Sequence, residues 1–214
     1  MVRARGGIFM TIRFYSWPQS SGFGAHWALE ELGLAYEYVR LDRAKGEHRS
    51  AEYLAINPNG KVPALVDGEE RYFESLAILL HLAERYGAMK GLWPAGGNQR
   101  AEALSWTTWS TTELMPFMLQ YIYHGLDAPM SFDLPDRSKA AAEYSLANST
   151  WHLDMLENRL RDRQFVVGAF SLADIPIAAA LGFGIMLGVP LGQRPAVRAW
   201  LDRCSRRPAR ARVE

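Results

Sequence analysis

A single cysteine, Cys204, stands among 214 residues. One thiol allows no internal disulfide, and it removes Cys-pair redox chemistry and cysteine-rich metal centres from consideration. Long apolar runs are missing as well. No stretch approaches the ~18 to 20 residues that a membrane span needs, and Met1 to Met10 lacks the apolar core of a signal peptide. A cytoplasmic protein with no membrane partner is expected. An excess of charge of one sign is also absent: the net charge is +1, which leaves no global signature of a nucleic-acid partner. The five histidines have no i, i+4 pairing and no carboxylate company, so no metal is expected. The arginines are nevertheless uneven. Arg194, Arg198, Arg203, Arg206, Arg207, Arg210 and Arg212 crowd the C-terminal end, and a charge run of this kind reads as a solvated last helix and tail.

What is present falls into two halves. Thr11-Ile12-Arg13-Phe14-Tyr15 is β-branched and aromatic, and the stretch 24–32 carries Ala25, Ala28, Leu29 and Leu32 at helix spacing before Gly33, a natural stop. Tyr36-Glu37-Tyr38-Val39-Arg40-Leu41 alternates as a strand. The spacing predicts a βαβ unit with a right-handed crossover. A helical turn near 52–56, a strand after Pro63, turn chemistry at Asp67-Gly68, a return strand at Arg71-Tyr72-Phe73 and a helix marked by Leu76, Leu79, Leu80, Ala83 and Tyr86 complete the order βαβαββα. That order is thioredoxin-like and occupies residues 11–87. Residues 88–97, with Gly91, Pro94, Gly96 and Gly97, read as a linker. Beyond it, 100–119, 136–161 and 171–187 are helix-period segments, so 98–214 is expected to be an all-α helical domain. Residues 1–10, which end on a second methionine, read as an N-terminal extension. Ser171-Leu172-Ala173-Asp174 has the form of a capping box, in which Ser171 accepts from the third amide and Asp174 reaches back, a structural role for Asp174.

The stretch Asn57-Pro58-Asn59-Gly60-Lys61-Val62-Pro63-Ala64-Leu65 carries the strongest functional signal. Pro63 has no N–H for a central ladder, which suits an edge strand or a turn, including a cis one, and leaves the Val62 backbone free to pair with something else. Glu74-Ser75 stands where a helix begins, and the unpaired N–H groups and dipole of a helix start attract a carboxylate. Together they describe a peptide-binding site.

With Phe14-Tyr15-Ser16-Trp17-Pro18-Gln19-Ser20, Trp27-Ala28-Leu29-Glu30-Glu31-Leu32-Gly33, Glu74-Ser75, the Gly/Pro linker, 106–116 and Ser171-Leu172-Ala173-Asp174, this chain resembles the glutathione S-transferase family, most closely its bacterial serine-type members, from Thr11 to about Pro208. The resemblance implies a cosubstrate, glutathione, whose thiolate is conjugated to a hydrophobic electrophilic small molecule, a detoxification chemistry, in a homodimer. It also assigns residues. The Val62 backbone would pair with the cysteinyl segment, with Pro63 in cis. Glu74 would take the γ-glutamyl ammonium and Ser75 its carboxylate. His48, Lys61 or Arg43 would meet the glycine carboxylate. The hydroxyl that stabilises the thiolate is sought among Ser20, Ser21, Tyr15 and Ser16: Ser20 stands thirteen residues before Gly33, as the serine does in bacterial relatives, and Ser21 matches the cysteine of the beta class. Gly24 departs from the arginine that many serine-type relatives carry. Trp17, Trp109, Glu113 and Phe117, with Trp106, Tyr121 and Tyr123 nearby, are the candidates for the electrophile's lining. Glutathione-dependent peroxidase or reductase chemistry, and a non-catalytic binding or scaffold role, are the alternatives the same fold allows.

Overall fold

The computed structural model describes residues 12–213; the expected strand start at Thr11 and the extension over 1–10 lie outside them. These residues gather into two compact units. The first runs to Leu82 and takes back Arg212 and Val213, and the second is Ala83–Ala211.

In the first unit, β1 (Ile12–Ser16), α1 (Phe23–Leu32), β2 (Tyr36–Arg40), α2 (Ala51–Leu54), β3 (Ala64–Asp67), β4 (Glu70–Phe73) and α3 (Ser75–Leu82) follow in the expected order. The sheet order is β2-β1-β3-β4, with β1 and β2 parallel and the other pairs antiparallel. This is the thioredoxin-like α/β arrangement. Alternation in β1 sets its two faces. Phe14 meets His26 of α1, with ring centroids 5.5 Å apart, while Tyr15 meets Tyr53 of α2 at 5.9 Å. α1 buries Ala25, Trp27, Ala28, Leu29 and Leu32, and it ends at Gly33, whose φ of 59° only glycine adopts without strain. The edge position considered for the proline strand is not where β3 lies. The hairpin return places β4 outside it, so β3 is interior. Pro63 precedes its first ladder residue, and its missing N–H therefore costs the sheet nothing.

The second unit is helical, with α4 (Gly97–Trp109), α5 (Met115–Gly125), α6 (Lys139–Leu160), α7 (Asp174–Met186) and α8 (Pro195–Ser205). A π-helical turn, Ser110–Leu114, joins α4 to α5, so the segment expected over 100–119 is wound more widely in its middle and continues to Gly125. The capping box is only half as expected. Asp174 accepts from Ser171 N–H at 2.9 Å, but Ser171 Oγ accepts from Ala173 N–H at 3.3 Å, because α7 starts at Asp174 itself. Asp174 also accepts from Val166 N–H at 3.0 Å and Trp200 Nε1 at 2.8 Å. Burial pushes its carboxyl pKa up, against the pull of these donors. It is thereby a knot between α7, α8 and the turn before them.

The C-terminal arginines are only in part the solvated run that their spacing suggests: Arg198 and Arg206 are exposed, while others are docked. α8 buries Val197, Trp200 and Cys204. Arg194, 9% exposed, reaches Asp154, the Thr150 carbonyl and the Leu191 carbonyl. Arg203 donates to the Gln164 carbonyl, and Arg207 lies 3.5 Å from the Phe170 ring centroid. Arg212 belongs to the first unit, where it holds the side chain and carbonyl of Glu30. Arg194, Arg203 and Arg212 each have a partner far away in sequence, which a reading of local charge does not register, whereas Arg206 pairs within its own helix end with Asp202. No helix among the described residues is long and apolar enough to cross a membrane.

Candidate glutathione site and aromatic cluster

Three segments of the first unit are knitted together by hydroxyl groups. The loop after β1 carries Ser20 and Ser21. Ser21 Oγ donates to the Val62 carbonyl at 2.8 Å, and Ser75 Oγ, at the start of α3, donates to the Ser21 carbonyl at 2.7 Å. The loop, the approach to β3 and the start of α3 thus meet around Ser21. The Val62–Pro63 bond is cis. No described residue accepts from the Val62 N–H. The segment before it is held from behind, with Tyr53 OH and Asn57 Nδ2 both donating to the Lys61 carbonyl at 2.5 and 2.6 Å. Burial pushes the Tyr53 phenol up to about 12, so it stays a donor.

Two non-glycine residues in the left-handed region flank this place: Gln19, with φ 57°, in the loop and Glu74, with φ 70°, before α3. Such conformations cost on the order of 1 to 3 kcal/mol each and gather at functional sites. Glu74 is exposed, and its Oε1 is 3.4 Å from Asn59 Nδ2; its carbonyl accepts the Ile78 N–H of α3. The Ser75 hydroxyl is committed to Ser21, so what α3 offers an anion is the backbone N–H groups of its first turn.

The four candidate hydroxyls occupy different surroundings. Ser20 is partly buried; its Oγ accepts from Gly22 N–H at 3.1 Å and lies 2.9 Å from Ser16 Oγ. Ser16 is 2% exposed. Ser21 is exposed. Tyr15 is on the other face of the sheet, packed with Tyr53, Val62, Ala64 and Val66, and β-strand alternation keeps it from the face that Ser16 shares with Phe14. Trp17 packs against that same Tyr15 cluster and meets His48 edge-on at 5.5 Å. His48 Nδ1 is buried with no partner among the described residues, whereas Lys61 and Arg43 are exposed.

In the second unit Trp109, Glu113 and Phe117 converge on one residue that the sequence reading passed over, His152 of α6. Trp109 Nε1 donates to His152 Nδ1 at 3.1 Å, Phe117 stacks on the imidazole at 5.5 Å, and Glu113 Oε2 is 3.8 Å from Nε2. Burial lowers the His152 pKa, and Glu113 opposes the shift. A histidine beside Trp151 on an amphipathic helix was the available signal. Trp106 instead carries Arg159 over its ring, and Tyr123 stacks on Phe132. Among the described residues no group of three His, Cys, Asp or Glu is placed to hold a metal.

Residues 10–84 match the model of the Glutathione S-transferase, N-terminal domain, and residues 111–208 match that of the C-terminal domain. Glutathione S-transferase F10 of Arabidopsis thaliana is 34% identical over 209 residues, 94% of each chain. Disulfide-bond oxidoreductase YfcG of Escherichia coli (strain K12) is 31% identical over 206 residues, 92% of each chain. The solved theta class glutathione S-transferase from Xanthomonas axonopodis pv. citri, with glutathione bound, superposes with a TM-score of 0.80 at 28% identity over 95% of this chain and 96% of that one. With a family model matched in each of its two units, the chain belongs to the glutathione S-transferase family.

Proposed function

We propose that this protein is a glutathione transferase that binds glutathione on the first unit and adds its sulfur to a hydrophobic electrophile. The observation that carries the reading is the knot around Ser21. It brings an unpaired Val62 N–H, the open first turn of α3 and the strained Glu74 beside one hydroxyl-bearing loop. The Val62 backbone takes the cysteinyl segment. Glu74 and the Ser75 N–H take the γ-glutamyl end, and His48 or Lys61 takes the glycine carboxylate. Ser20 donates to the thiolate. Bringing a thiol from about 8.5 to below neutrality requires roughly 2 kcal/mol at 1.36 kcal/mol per unit, and one hydrogen bond to a charged acceptor contributes about 1.5 to 3 kcal/mol. The thiol proton leaves to solvent. The sulfur lone pair then forms a C–S bond as the leaving group departs with its electron pair. Trp109, Glu113 and Phe117 contribute to the electrophile's lining, and the active form is a cytoplasmic homodimer.

The similarity to a disulfide-bond oxidoreductase supports a second reading, reduction of disulfides or peroxides. The chain's one cysteine is buried in α8, so both reducing thiols would come from glutathione. Titration calorimetry with glutathione, followed by assays against aryl halides, enones, organic peroxides and glutathione mixed disulfides, separates the cases. Conjugation of a carbon electrophile is the expected result. Turnover of peroxides or disulfides alone favours the second reading, binding with no turnover favours a scaffold, and absence of binding ends the proposal.

A further inference from the structure

The Ser20 hydroxyl has one proton and two lone pairs. Gly22 N–H fills one lone pair at 3.1 Å, and the second contact, with Ser16 Oγ at 2.9 Å, depends on which serine donates. Two arrangements fit. In one, Ser20 donates to Ser16, and Ser16 turns its own proton to the Trp17 carbonyl at 3.4 Å. In the other, Ser16 donates to Ser20; both lone pairs of Ser20 are then occupied, and its proton is left to donate elsewhere. The first arrangement is held only by a contact at the long, weak end of hydrogen-bond geometry. An anion beside Ser20 therefore selects the second at little cost.

The surroundings preserve this choice. Ser16 is 2% exposed and lies at the end of β1, so water does not compete for its proton. A Cβ built at Gly22 would sit 2.3 Å from Ser16 Oγ and 3.3 Å from Pro63 Cβ. Glycine at position 22 is what allows a buried hydroxyl to stand directly behind Ser20.

We propose that Ser16 is a positioning residue for the thiolate-binding hydroxyl: by donating to Ser20 Oγ it commits the Ser20 proton to the glutathione sulfur and polarises that bond. The inference rests on the reading of Ser20 as the thiolate's donor. No covalent bond is made or broken; two O–H groups turn, and each donor in the chain strengthens the next.

The ultraviolet absorbance of the thiolate of bound glutathione, followed against pH, reads the sulfur directly and needs no electrophile. It is measured for the wild type, Ser16→Ala, Ser20→Ala and the double variant. Ser16→Ala is expected to raise the thiolate midpoint by about half a pH unit, with glutathione affinity above the midpoint unchanged. Added to Ser20→Ala, the same substitution is expected to move nothing further. An unmoved midpoint in Ser16→Ala, or an equal shift with and without Ser20, overturns the inference while leaving Ser20 its role. A midpoint that Ser20→Ala does not raise, or a wild type that fails to bind glutathione, overturns the reading beneath it and the inference with it.

Discussion

Ser20 and Ser21 are adjacent in the chain and differ in what they can give. Ser21 spends its proton on the Val62 carbonyl, whereas Ser20 is backed by two hydrogen-bonding neighbours. Ser20→Ala is accordingly expected to raise the pH midpoint of conjugation by about one to two units, the equivalent of one charge-assisted hydrogen bond. Ser21→Ala is expected to weaken glutathione binding at every pH by loosening Val62, and to leave the midpoint in place. Steady-state kcat/KM profiles of the two variants check this, and the reverse pattern would assign the thiolate to Ser21. A second single-residue prediction concerns His152. Its folded pKa lies below the ordinary value of about 6.5 because it is buried. Below that value the unfolded chain takes up a proton that the folded protein refuses. Stability is therefore complete above about pH 6.5 and falls on acidification towards the folded pKa. His152→Gln, which can still accept from Trp109, is expected to flatten the fall in melting temperature between about pH 7 and pH 5.

At the scale of elements, Asp174 shows how much one carboxylate can hold. Asp174→Ala leaves the N–H groups of Val166, Ser171 and Trp200 without their acceptor in the interior. At about 1 to 3 kcal/mol for each stranded donor, a loss of roughly 3 kcal/mol or more is expected in a denaturant titration. The order of elements in the first unit was legible in the sequence because each has a local signature: alternation in β1 and β2, Gly33 after α1, Asp67-Gly68 between β3 and β4. The cap at Ser171 was legible for the same reason, but only in its local half. Val166 and Trp200 reach Asp174 from eight and twenty-six residues away, and no spacing rule connects them. The docking of Arg194, Arg203 and Arg212, the interior position of β3 and the gathering of three side chains on His152 were hidden for that same cause. Pairing across the fold is decided by topology, while a sequence pattern reports only neighbours. The candidate site lay between these extremes, its segments being readable and their hydroxyl links not.

On the whole molecule, each unit leaves large apolar side chains in water. Phe73 is 36% exposed in the first, and Met89, Tyr144 and Trp151 are 78%, 64% and 62% exposed in the second. Tyr144 and Trp151 stand seven residues apart, two turns, on one face of α6; exposed apolar side chains that share a face mark association sites, and with a net charge of only +1 no strong self-repulsion opposes contact between copies. Sedimentation at micromolar concentration is expected to give a homodimer of about twice the 24.1 kDa chain mass, and Trp151→Glu or Tyr144→Glu is expected to shift it towards monomer. A single species at the chain mass would refute the homodimer.

The contact of Arg212 with Glu30 spans 182 residues. On the ribosome, where chains grow at about 5 to 20 residues per second, these partners emerge on the order of 10 to 40 seconds apart. The rest of the first unit therefore leaves the exit tunnel long before it receives this tie. That tie joins α1, the helix following the serine loop, to a segment made after the whole of the second unit, so α1 is held on this side only once the second unit has been synthesised.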